Sequence, residues 1–153
     1  MTTLNQIPSV KAAMLIRSSI DKVFEAFINP DVTTKFWFTQ SSGRLEQGSH
    51  VRWDWEMYGV SDEIHVKEMH ENKRILLEWS DQTETEWLFT SSADNTTYVT
   101  ITSSGYTGSG DEIVQRAIDD MGGYTIVLCG LKAYLEHNIV LNLVADKAPD
   151  ANV

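Results

Sequence analysis

Cysteine is almost absent from this chain: Cys129 is alone among 153 residues. A lone thiol makes no intramolecular disulfide and no cysteine zinc site, so a reducing, cytoplasmic setting is expected. Positive charge is scarce too, with 12 Lys and Arg against 22 Asp and Glu and a net charge of -10. That balance repels the phosphates that supply most non-specific nucleic-acid affinity and opposes docking on an anionic membrane, although a single lipid inside the fold stays open. Neither nucleic-acid binding nor membrane insertion is expected. No apolar run approaches a membrane span, and residues Met1 to Gln6 lack the basic and apolar parts of a secretory leader, so the protein is expected to be soluble and unprocessed. His50, His65, His70 and His137 show neither HxxxH nor HExxH spacing, so no metal and no cofactor is expected.

What is present is patterning. Val10, Ala12, Met14 and Ile16 alternate as in a strand. Ser18 stands three residues before Asp21, and Val23, Phe24 and Phe27 follow at helical spacing until Asn29-Pro30 breaks the run and opens a second short helix. Lys35-Phe36-Trp37-Phe38 is a dense apolar cluster that either plugs one end of the core or lines an entrance. Val51, Trp53, Trp55 and Met57 then alternate with Arg52, Asp54 and Glu56, giving a strand with one dry face.

After the turn at Gly59, strands are expected over 60–69, 74–79, 83–89 and 97–103, joined by short turns into an antiparallel meander. The expected inward set is Ile64, Val66, Ile75, Leu77, Trp79, Thr85, Trp87, Phe89, Val99 and Ile101, with all five tryptophans on or near that side. Ser109 precedes Glu112 by three and opens a long helix running to about His137, its inward stripe expected at Val114, Ile118, Met121, Thr125, Leu128, Leu131 and Leu135. Gly122-Gly123 costs that helix about 1 kcal/mol per glycine, which asks for a packing or cavity reason. Ile139 to Val144 form an apolar tail that must pack on the domain or on a second copy, and 146–153 is expected to fray. At this length one domain, residues 1–153 with its core at about 9–144, suffices.

Catalytic signatures are weak. Gly108-Ser109-Gly110 lies where a phosphate loop would, but it lacks the third glycine and the lysine, and Asp111 and Glu112 oppose an anion. Asp54/Glu56 and Glu84/Glu86 each lie on one face of a strand and alternate with tryptophan or threonine assigned to the interior, which sends the carboxylates to water. Cys129, between Leu128 and Gly130, reads as a small buried hydrophobe.

The segments 18–27 and 35–38, the strand from Gly48 to Trp55, and Gly123-Tyr124 through 131–136 resemble the helix-grip fold of the START-like, or polyketide cyclase, superfamily. More narrowly they resemble the family named after the activator of the heat-shock protein 90 ATPase. The resemblance covers nearly the whole chain, departing at Tyr124, where tryptophan is usual, and in the apolar tail. It implies an α+β fold: a curved antiparallel sheet of six to seven strands around a long C-terminal helix, with two short helices after strand one.

It also implies a cavity for a hydrophobic small molecule or lipid-like ligand, expected at Trp53, Trp55, Ile64, Val66, Trp79, Trp87, Phe89, Met121, Tyr124 and Leu128, with Phe36, Trp37 and Phe38 at its entrance. Two other functions stay open. One is an interaction protein binding a chaperone, with a homodimer suggested by the tail. The other is a cyclase- or hydratase-type enzyme using Asp62, His65 or Glu86 facing inward.

Overall fold

The computed structural model describes residues 2–149. The chain runs through β1 (Val10–Ile16), α1 (Ile20–Ile28), α2 (Pro30–Thr33), β2 (Gln40–Ser41), β3 (His50–Trp55), β4 (Val60–His70), β5 (Arg74–Trp79), β6 (Glu84–Ser92), β7 (Thr96–Ser104), α3 (Gly110–His137) and α4 (Leu143–Lys147). Single 3-10 turns occupy Glu56–Tyr58 and Ala93–Asn95. The seven strands form one antiparallel sheet in the order β1-β7-β6-β5-β4-β3-β2, so the meander from β2 to β7 is completed by the first strand. The long helix α3 packs into the concave face, the helix-grip arrangement.

Local chemistry explains the boundaries. Asn72 turns the β4–β5 hairpin with φ 59, while Asp94 and Asn95, each at φ 58, turn β6–β7. These are residue types that tolerate the left-handed region. Gln82, at φ 70, is less suited to it. Its turn is braced by Asp81, whose Oδ1 accepts from the Thr83 amide at 3.0 Å and the Thr83 hydroxyl at 2.6 Å. Ser109 Oγ caps α3 by accepting from the Glu112 amide at 3.2 Å. At α1 the cap residue is Ser19, not Ser18, and its side chain makes no capping bond.

Alternation builds the dry face. Across β1, β7 and β6, register sets Ala12 beside Ile101 and Ile101 beside Trp87, and one strand further Trp87 stands beside Ile75. All four are buried. Helix α1 closes this region with Phe24 against Phe89 at 5.1 Å and Phe27 against Trp87 at 4.6 Å between ring centroids. Edge-on and tilted aromatic pairs of this kind add about 0.5–1.5 kcal/mol beyond their buried area.

Helix α3 is rolled relative to the stripe expected from its sequence. Ile118 is 62% exposed and Met121 45%, whereas Ile113, Tyr124, Val127, Leu128 and Leu131 are buried. The packed stripe in the N-terminal half is therefore displaced by one residue, about 100° around the axis. Two contacts impose that roll. Ile113 is captured with Val10 and Tyr106 in a satellite apolar cluster. Further along, Gly130 lies so close to Phe36 that a Cβ on it would stand 3.0 Å from Phe36 Cβ.

Two further expectations are corrected. Met57 leaves the strand, because the chain turns into the 3-10 segment that Gly59 ends at φ 63. Fraying does not begin at Asp146, which lies inside α4, while Val144 packs on the core. Expectations for 150–153 fall outside the described residues. Ile139, Val140 and Leu141 remain exposed.

Candidate functional site: an aromatic cavity between sheet and helix

A cavity of about 610 Å³ opens between the sheet and α3. The sheet contributes Trp55, Val60 and Trp79, and the 3-10 turn between β3 and β4 contributes Tyr58; α3 contributes Asp120, Gly123, Tyr124, Ile126 and Val127; α4 and the next residue close one end with Val144, Lys147 and Ala148. Trp37, from the segment after α2, completes the wall.

Position along the strands decides which tryptophans reach the cavity. Trp55 ends β3 and Trp79 ends β5, so each indole stands where its strand leaves the sheet and is partly uncovered. Trp53 and Trp87 share the same face further inside and are 1% and 0% exposed. On α3, Asp120, Gly123, Tyr124 and Val127 follow at helical spacing and so share one face. A Cβ on Gly123 would meet nothing within 4 Å, whereas Gly122 is covered by the Lys147 side chain.

The indole of Trp37 lies 6.3 Å from Trp55, 6.4 Å from Trp79 and 6.1 Å from the Tyr124 ring. Trp55 and Trp79 are 6.2 Å apart. Polar groups meet at the base of this wall. Trp79 Nε1–H donates to Thr85 Oγ1 at 2.8 Å, and the Tyr124 hydroxyl hydrogen-bonds the same oxygen at 2.9 Å. Burial drives the Tyr124 phenol well above its ordinary value, and the nearby Asp120 charge adds to this against the opposing bond to Thr85. The phenol therefore stays protonated and offers a hydrogen bond rather than a charge.

Asp120 is oriented by its neighbours. Its Oδ2 accepts from the Tyr106 hydroxyl at 2.7 Å and from Ser103 Oγ at 3.4 Å, with Arg116 Nε at 3.8 Å. At the opposite end, Tyr58 donates its hydroxyl hydrogen bond to the Val144 carbonyl and so ties α4 across the opening.

Of the residues expected at a ligand site, Trp55, Trp79 and Tyr124 are brought together on the wall, joined by Trp37. Trp53, Ile64, Val66, Trp87, Phe89 and Leu128 lie behind it in the core, and Met121 is exposed on the outer side of the rolled helix. Phe36 and Phe38 are buried, Phe38 stacking on Trp53 at 4.5 Å. Tyr58, Val60, Asp120 and Val144 also line the cavity, without a sequence pattern that marks them for it. Asp120 was legible only as the residue one turn before Tyr124.

Acids proposed for catalysis sit elsewhere. Glu84 and Glu86 alternate with buried Thr85 and Trp87 and pair with Lys67 and Arg74 on the outer face. His65 stacks on His50 on that face, with ring centroids 4.3 Å apart. Asp62 is in register with Trp53, but its Oδ1 accepts from the Glu63 amide at 2.8 Å and it is not part of the cavity wall. A second depression, of about 620 Å³ beside α1, is walled largely by charged side chains, including Asp21, Lys22, Glu25, Arg44 and Glu46. Among the described residues no helix is long and apolar enough to cross a membrane, and no group of three or more metal-ligating side chains converges.

The family model described as Activator of Hsp90 ATPase homolog 1-like protein matches residues 17–136. A crystal structure of a protein from Staphylococcus saprophyticus is 28% identical, with TM-score 0.78 over 88% of this chain and 96% of that one. The Aha1 dimer from Colwellia psychrerythraea is 20% identical, with TM-score 0.71 over 85% of this chain and 97% of that one. DynU16, of the dynemicin biosynthetic locus, is 22% identical, with TM-score 0.72 over 86% of this chain and 48% of its own. No curated protein matches this chain.

Proposed function

The chain belongs to the Activator of Hsp90 ATPase homolog 1-like family, START-like in fold, and from this footing we propose that it binds a small, largely apolar molecule between sheet and helix. The observation that supports this most is the cavity itself: about 610 Å³, walled by three tryptophans and two tyrosines. Pockets of that size and character suit a compact ligand whose few polar atoms are placed by a few protein groups. Gly123 agrees with it. A glycine inside a helix costs about 1 kcal/mol against alanine, and here no neighbour requires it, since open space lies before it. Room for a guest is the reason that fits.

The test is native mass spectrometry of the protein purified from its own host, with organic extraction of anything released. A stoichiometric small molecule supports the reading. Clean protein, together with a Gly123→Leu variant that binds hydrophobic probes as well as the wild type, disposes of it.

A second copy is the partner that best suits the tail. Ile139, Val140 and Leu141 are three successive apolar side chains, each nearly half exposed, a strip that favours association, and the Colwellia relative is described as a dimer. Sedimentation across a concentration series decides this, and a strictly monomeric protein removes it.

A further inference from the structure

We propose that the guest of this cavity is an organic cation: an amine or quaternary ammonium group carried on an apolar or aromatic body, with Asp120 as its countercharge. This rests on the ligand-binding role proposed above and gives that ligand a chemical class.

The wall comes first. Trp37, Trp55, Trp79 and Tyr124 present electron-rich rings to one space, with neighbouring centroids 6.1 to 6.4 Å apart. Aromatic faces attract a positive group, most strongly where water is excluded, and indole is the best of them. An aliphatic wall would serve a neutral lipid equally well and would give a cation nothing.

Asp120 is the second and independent observation. It stands on the helix side of the same cavity with its side chain only 22% exposed. The bonds from Tyr106 and Ser103, and the approach of Arg116, all go to Oδ2. Among the described residues Oδ1 has no hydrogen-bond partner. Arg116 is shared between two carboxylates, 2.9 Å from Asp81 and 3.8 Å from Asp120, and its longer, half-exposed ion pair with Asp120 is made to Oδ2, so it leaves Oδ1 without a partner. A neutral apolar guest would leave Oδ1 dehydrated and unpaired, and an anionic one would meet it with like charge; a cation satisfies it.

Spacing lets the two features act together. Asp120 and Tyr124 are one helical turn apart on α3, and Gly123 keeps the space beside them clear. The net charge of -10 draws a cation toward the opening. Lys147 is the opposing charge. It lies at the α4 end of the wall and is exposed, where it repels a cation weakly through water.

The experiment compares two probes of equal shape, benzyltrimethylammonium and neopentylbenzene, by quenching of tryptophan fluorescence at low salt. The wild type is expected to bind the cation at least about tenfold more tightly than its neutral isostere. In Asp120→Asn, which retains an acceptor for Tyr106, that preference is expected to fall to within about twofold. Lys147→Gln is expected to strengthen cation binding. Equal or better binding of the neutral probe by the wild type overturns the proposal while leaving the cavity role intact, whatever the stability of the Asp120 variant. Failure of both probes to bind overturns the cavity role and this proposal together.

Discussion

The hydroxyl of Tyr124 lies 2.9 Å from Thr85 Oγ1, a bond between residues 39 apart that pins α3 to β6 at the base of the cavity. Thr85 is fully buried and also receives the indole N–H of Trp79, so one threonine oxygen joins the helix, the middle of the sheet and an aromatic wall residue. Tyr124→Phe should lower stability by about 1 kcal/mol, the usual net worth of such a bond, because Trp79 still satisfies Thr85. Urea unfolding checks this; an unchanged midpoint at unchanged slope would show that the bond contributes nothing net.

The glycines of α3 should respond to alanine in opposite directions. At Gly123 the new methyl meets nothing within 4 Å, so the variant should gain about 0.5–1 kcal/mol from helix propensity. At Gly130 the methyl stands 3.0 Å from Phe36 Cβ and 3.3 Å from the Phe36 carbonyl oxygen. Overpacking of about 1–3 kcal/mol should exceed the propensity gain. Thermal melts of the two variants, run beside the wild type, test the sign of each.

Glu136 supplies a pH-dependent contribution. Burial alone would raise its carboxyl, but the Arg17 amide at 2.8 Å and the Lys132 ammonium at 2.6 Å outweigh that and hold it below its ordinary value. A carboxylate depressed in the folded state contributes stability above its unfolded pKa and loses it as pH falls through the folded one. Glu136→Gln should therefore cost about 1–3 kcal/mol at neutral pH, and its deficit should shrink as the solution is acidified through and below the carboxylate range. A deficit that stays constant with pH would assign the effect to packing instead.

The bond from Tyr58 to the Val144 carbonyl holds α4 over one end of the cavity. Removing it with Tyr58→Phe should accelerate hydrogen exchange in Leu143–Lys147 and raise the off-rate of a bound probe by severalfold, while leaving the exchange of β5 to β7 unchanged. Identical exchange in α4 would mean that apolar contacts of Val144 suffice to keep it in place.

Side-chain alternation and turn chemistry determined most of the architecture. The strands from Val10, Val60 and Arg74 begin where their alternation begins, and α3 opens at the Ser109 cap and ends beyond His137 at Asn138, φ 55, a residue type that tolerates the left-handed turn. These features are local, set by a residue and its near neighbours, so they are readable along the chain. The short β2 strand is not legible in the sequence, because two residues carry no period.

Depth and roll were decided by tertiary structure. Period two assigns Trp53, Trp55, Trp79 and Trp87 to one face but says nothing of which the helix and strand ends leave uncovered, and only Trp55 and Trp79 reach the cavity. The roll of α3 depends on Val10 and Tyr106 at one end and Phe36 beneath Gly130 further along, all outside the helix. That roll turned Met121 to solvent and Asp120 inward. Sequence thus determined which faces are dry, because burial repeats with the local backbone period, while the fold alone determined which carboxylate and which indoles share one space, because that depends on contacts between segments far apart in the chain.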